Sequence, residues 1–134
     1  MEPIKVIVRY ADGRLVKGYT SDFFPNKSVF HVRPIEIGPA DKGIEVAVKE
    51  LKALFFVKDF TGNPAHHEMK QFNEGPQPPG RKMEVTFADG EVLVGSTLGY
   101  DPNRIGFFVT PADSESNNLR VFVVSASMSK FRYL

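Results

Sequence analysis

The chain has 134 residues, 42% of them hydrophobic, with 12 Phe and 4 Tyr but neither Trp nor Cys. That much apolar content builds a packed core and excludes disorder throughout, while the lack of cysteine excludes disulfides, thiolate metal sites and cysteine nucleophiles together. Seventeen Lys and Arg stand against sixteen Asp and Glu, with no basic run in any segment, so a non-specific electrostatic hold on nucleic acid is not expected.

The N-terminus, Met1-Glu2-Pro3-Ile4-Lys5, lacks an apolar core of the kind a secretion signal carries. No stretch approaches the ~18 apolar residues of a membrane span, and the expectation is a cytoplasmic protein with no membrane partner. An alternating run (Ile4, Val6, Val8, Tyr10) predicts a first strand, and Ala11-Asp12-Gly13 then supplies hairpin chemistry, because Gly takes the positive φ of a tight turn. A second strand follows over Leu15–Thr20 with Gly18 inside it, which marks a bulge or sharp bend. A turn holding Pro25-Asn26 leads to a third strand over Val29–Arg33. A polar loop precedes a fourth, Ile44–Val48, and a fifth covers Ala53–Lys58.

The same series then recurs. Val8 to Pro34 aligns with Val85 to Pro111 at a constant shift of 77 without gaps, and 11 of 27 positions are identical. They include the Ala-Asp-Gly turn, the mid-strand Gly18 and Gly95, and the Pro-Asn pairs 25-26 and 102-103. The shift persists from Ile44 on Val121 to Val57 on Leu134. Strands are therefore expected at Val92–Thr97, Gly106–Thr110, Val121–Ser125 and Lys130–Tyr133 as well. Val48–Leu51 and Ser125–Met128 have room for one helical turn each, and no segment sustains a 3.6-residue period. The reading is an all-β protein made of two tandem five-stranded barrels by internal duplication, over residues 1–57 and 81–134. A Pro- and Gly-rich linker, 58–80, joins them. Leu54 and Phe56 alternate with Phe55 and Val57, so one face lines a barrel interior and the other packs on the sister repeat or a second chain. A homo-oligomer and a domain swap through the linker are both open.

The order of strands and turns resembles the Sm/Hfq-like fold, a branch of the SH3-like barrels. Gly95-Ser96-Thr97-Leu98-Gly99-Tyr100-Asp101 is similar to the first Sm motif, a Gly followed by an aromatic-Asp pair. Val46–Val57, with Leu51-Lys52-Ala53 between two strands, resembles the second. The chain departs from that family in starting directly in a strand. The residues that grip RNA bases there have no clear counterpart, Asn26 and Asn103 being the nearest by position. The run Leu51-Lys52-Ala53-Leu54-Phe55-Phe56-Val57 also resembles an uncharacterised bacterial domain family, whose membership implies a fold and no activity.

Candidate chemistry is sparse. His66-His67-Glu68 is the one cluster of metal-capable side chains, but neighbours in an extended segment point apart and a site needs three or four converging ligands. His31 reads as a partly buried structural histidine with no acid-base partner. Asp12 and Asp89 sit in Asp-Gly turns, where Asp hydrogen-bonds its own backbone. The hydroxyls near Ser125–Ser129 lack a base, no phosphate-binding or dinucleotide motif occurs, and Pro76-Gln77-Pro78-Pro79 reads as a stiff spacer. No enzyme, cofactor or metal is expected. What remains is a pair of aromatic-basic loops, with Phe23, Phe24, Asn26 and Lys27 in one and Tyr100, Asn103 and Arg104 in the other. Such loops can stack on a base, anchor a protein partner, or plug a barrel end from inside. The expectation is a non-enzymatic binding or adaptor module of a bacterial cytoplasmic assembly, with a protein as partner. The alternative is an Sm-like RNA-binding protein, for which alanine at Phe23 and Tyr100 would abolish binding without unfolding.

Overall fold

A computed structural model describes residues 3–35, 43–61, 79–113 and 116–134. The chain is all-β. Ten strands, β1 (Ile4–Tyr10), β2 (Leu15–Thr20), β3 (Val29–Pro34), β4 (Ile44–Ala47), β5 (Leu51–Val57), β6 (Arg81–Phe87), β7 (Val92–Thr97), β8 (Gly106–Pro111), β9 (Asn118–Val124) and β10 (Met128–Tyr133), form a single sheet. Its order is β10-β6-β7-β8-β9-β5-β1-β2-β3-β4, and every pairing is antiparallel. Single 3-10 turns occupy Val48–Glu50 and Ser125–Ser127. Among the described residues no helix is long and apolar enough to cross a membrane.

The sheet is open, and this corrects the expectation of two self-closed barrels. Among the described residues β4 and β10 each have one neighbour and form its two edges, while the halves meet through hydrogen-bonded strands, β5 against β9, with Leu54 opposite Phe122 and Phe55 opposite Val121. The cause lies in β5, all seven residues of which are buried. Leu54 and Phe56 enter one core with Val6, Val8, Phe30 and Val46 from the first half. Phe122 and Val124 of β9 join them there. Ala53, Phe55 and Val57 enter a second core with Met83, Val85, Phe107 and Val109. A strand with two apolar faces has to lie between two cores, so β5 takes a central place in the sheet. Each half bends around its own core and lends side chains to the other.

Register in the second half is that of the first displaced by 77 residues. Ile4 faces Thr20 and Arg81 faces Thr97, while Gly18 faces Pro34 and Gly95 faces Pro111. The expected hairpins lie at Gly13 and Gly90, whose φ angles are 99° and 92°. Asp12 and Asp89 each accept a hydrogen bond from the backbone N–H two residues on, at 3.0 Å. Where β2 and β7 leave one neighbour for the next, a glycine is required by space. A Cβ on Gly95 would stand 2.2 Å from the Thr110 carbonyl oxygen and 2.6 Å from Val109 Cγ1.

Polar contacts reinforce the joint. Lys52 on β5 is 8% exposed and reaches across to the second hairpin, its Nζ donating to Asp89 Oδ2 and Glu91 Oε1 at 2.7 Å each. The ammonium also lies 4.8 Å from the centre of the Phe87 ring. Ser127 Oγ donates to the Leu51 carbonyl at 2.8 Å. The Lys52 hydrogen bond holds the Asp89 carboxyl below its ordinary pKa, with the Glu91 N–H adding to it. A folded-state pKa that is depressed gives stability present above the unfolded value and lost as pH falls through the folded one.

Gly95→Ala is expected to cost about 1–3 kcal/mol in urea unfolding, because backbone rather than a mobile side chain blocks the new methyl. Gly99→Ala, with nothing within 4 Å of its Cβ, serves as the unperturbed control. Wild type should exceed Lys52→Met in urea midpoint at pH 6. The gap should close as pH drops below the usual aspartate value near 4, since protonated Asp89 no longer needs the ammonium.

Candidate binding cleft at the joint of the two halves

The two aromatic-basic loops have different fates. Phe23 is buried and stands edge-on to Phe30, Phe56, Phe108 and Phe122, with ring centres 5.1–6.2 Å apart. Its ring belongs to the first core. Its counterpart Tyr100 is half-buried and packs on Phe107 at 5.0 Å and Phe131 at 4.6 Å. The Phe23 ring is not free to stack on a base, whereas Tyr100 stays partly exposed. Alanine at Phe23 would therefore act on folding first, contrary to the expectation from sequence. Phe24 is 42% exposed, with the Lys27 ammonium 4.9 Å over its ring. Asn26 and Asn103 are exposed. Arg104 approaches Asp101 at 3.7 Å within its own turn.

A cavity of about 470 Å3 opens between the loops. Pro25 of the first loop, Pro79, and Leu98, Tyr100, Asp101 and Arg104 of the second border it, and Phe107, Phe108 and Phe122 form apolar wall. The fold thus brings Tyr100 and Arg104 together with the first loop through Pro25. Phe24, Asn26, Lys27 and Asn103 do not line it. Leu98 at the rim is 84% exposed.

Two lining residues escaped the sequence reading. Arg120 on β9 lies flat against aromatic rings, its guanidinium 4.5 Å from the centre of Phe56 and 4.3 Å from that of Phe108. Desolvation lowers its pKa, and among the described residues no carboxylate pairs with it. Stacking stabilises the cation while leaving its N–H donors for another acceptor. The signal was present, since the position 77 earlier is Gly43 and Arg120 departs from the 77-residue correspondence there. Ser96 on β7 is 2% exposed and its Oγ is buried without a hydrogen-bond partner, a costly state for a hydroxyl. Its counterpart is Tyr19.

His31 lies elsewhere and differs from expectation. It is exposed on the outer face of β3, with Nδ1 2.8 Å from Asp22 Oδ2 and Nε2 4.0 Å from Glu45 Oε2. The turn after β2 folds Asp22 back, so that its Oδ1 also accepts from the His31 N–H at 2.9 Å and the Thr20 hydroxyl at 3.2 Å. Partial burial raises the Asp22 pKa, and these hydrogen bonds outweigh it to leave the pKa lowered. Among the described residues no group of three or more His, Asp or Glu is arranged to hold a metal. His66-His67-Glu68, most of the 58–80 linker and residues 76–78 of the Pro-rich run lie outside the described residues.

Phe23→Ala should lower unfolding free energy by about 3–5 kcal/mol, the cost of an aromatic-sized void, read from urea denaturation. Phe24→Ala should stay within about 1 kcal/mol, because its ring is already half in water.

No curated protein and no solved structure matches the chain. One family does, over residues 2–134. The chain belongs to this family, described as a family of unknown function, DUF6982.

Proposed function

We propose that the chain is a non-enzymatic binding module made of two copies of one small SH3/Sm-like barrel unit. In this reading the cleft at their joint holds a short segment of a partner protein that offers an apolar side chain beside a carboxylate. The 77-residue correspondence of registers supports the duplicated unit. The observation that carries the binding reading is Arg120, a solvent-accessible guanidinium stacked on Phe56 and Phe108 without a carboxylate partner among the described residues, at a cavity whose wall includes Phe107, Phe108 and Phe122. A rigid aromatic bed holds the guanidinium in one orientation for a charge-assisted hydrogen bond to an incoming carboxylate. The apolar wall takes the neighbouring side chain, and Leu98 and Pro25 extend contact beyond the rim. Cavity volume falls in the range of sites that enclose ligands. RNA is the less supported partner, because Phe23 is buried in the core and the balanced charge of the chain gives little hold on a phosphate backbone.

Selection of displayed random peptides on the intact protein should enrich sequences pairing an acidic with a large apolar residue. Their affinity, measured by fluorescence anisotropy, should fall roughly tenfold to a hundredfold in Arg120→Ala, the value of a hydrogen bond to a charged group. Peptides that ignore Arg120→Ala, or no enrichment at all, would remove the proposal. Salt-sensitive binding of single-stranded RNA instead would favour the Sm-like alternative.

A further inference from the structure

The joint between the halves is a strand pair, and both of its members have counterparts at the open edges of the sheet. β10 stands to the second half as β5 stands to the first, and β4 corresponds to β9. Pairing β10 of one molecule with β4 of the next in the joint's own register would extend the sheet head to tail. Each addition would leave one β4 and one β10 free, so growth would not close by itself.

What separates the joint from the edges is side-chain chemistry. On β8 and β9, Phe108 and Phe122 lie 5.1 Å apart and cross into the first half's core. The positions 77 earlier are His31 and Glu45, both exposed. On β1 and β5, Ile7 and Phe55 face each other and pack with the second half's core. Their counterparts on β6 and β10 are Glu84 and Arg132, an ion pair at 3.1 Å. Ala53, fully buried at the joint, is replaced by exposed Lys130. Phe108, Phe122, Ile7, Phe55 and Ala53 thus give way to polar or charged residues at the ends of the sheet, whereas Val124 and Val57 correspond to apolar Ala47 and Leu134, and strand order and register are kept.

We infer that the β4 and β10 edges retain the backbone complementarity of the joint toward a second copy of this chain, and that His31, Glu45, Glu84, Lys130 and Arg132 block that addition. In the joint's register, Phe131 would face Glu45 and Arg132 would face Ile44. Both polar pairs would lose water against apolar surfaces, and the desolvation cost of a buried ion pair exceeds what its attraction returns. Charges on an edge strand are a known guard against sheet extension. Here each guard residue occupies the position of an identified contact at the joint, which makes the block reversible by design.

The test uses two full-length variants. One carries His31→Phe and Glu45→Phe and opens β4; the other carries Glu84→Ile, Lys130→Ala and Arg132→Phe and opens β10. By sedimentation, wild type and each variant alone should remain at the monomer mass of 15.0 kDa. Their equimolar mixture should form a dimer and stop there, because its outer edges are still guarded. The dimer should be roughly a hundredfold tighter than any wild-type self-association, and a chain carrying all five changes should grow into longer assemblies with concentration. A monomeric mixture of variants that keep the wild-type circular dichroism and cooperative unfolding overturns the inference, as does head-to-tail assembly of wild type. If an aromatic replacement misfolds, His31→Leu with Glu45→Leu, mixed with Glu84→Leu, Lys130→Ala and Arg132→Leu, reads the same block. A dimer from that mixture supports it, and none at the highest attainable concentration overturns it.

Discussion

Leu51–Val57 has apolar side chains on both faces, and such a strand cannot end a sheet or lie on its wetted side without exposing half of them. Placing it between two cores requires a second layer, which the second half supplies through β9. From that one requirement follow the open ten-stranded order, the exchange of side chains across the joint and the position of the cleft. Lys52 is part of the same solution. Its stem is buried with the strand, and its charge emerges where the Asp89-Gly90 hairpin and Glu91 can receive it.

The halves share a backbone plan and differ in what they do with it. Where β8 and β9 carry Phe108 and Phe122, β3 and β4 carry His31 and Glu45; where β9 carries Arg120, the strand entry at 43 carries glycine. Asymmetry of this kind gives one internal interface, two polar ends and unequal clefts, about 470 Å3 at the joint and about 260 Å3 beside Thr20, Asp22 and His31 in the first half. The cleft at the joint depends on it directly. Arg120 sits flat only because Phe56 comes from one half and Phe108 from the other.

Strand positions, the Asp-Gly hairpins and the correspondence at 77 residues were legible because they rest on local chemistry. Period-2 alternation, positive φ at Gly13 and Gly90, and the clash a Cβ would cause at Gly18 or Gly95 all act within a few residues or across one strand pair. Continuity of the sheet was not legible. A strand apolar on both faces announces that something covers the second face, but not whether the cover is a packed layer or a hydrogen-bonded neighbour. The loops were half legible. Phe23 and Tyr100 stand out in the sequence beside cations in corresponding loops, yet burial of Phe23 depends on four rings, two of which come from the other half. The Asp22–His31 contact and the stacked Arg120 were hidden for the same reason, being made by chain reversal and by the joint.

Sharing of cores has a consequence for synthesis. The first five strands leave the ribosome before β9 exists, so Phe55, Ala53 and Val57 on one side and the gap awaiting Phe122 on the other stay uncovered until nearly the whole chain has been made. Contacts that complete the nascent first half span more than sixty residues of sequence, and closing them is slow compared with forming a hairpin. During that interval β5 is an apolar strand with a free edge, a species prone to pairing with its own kind on a crowded polysome.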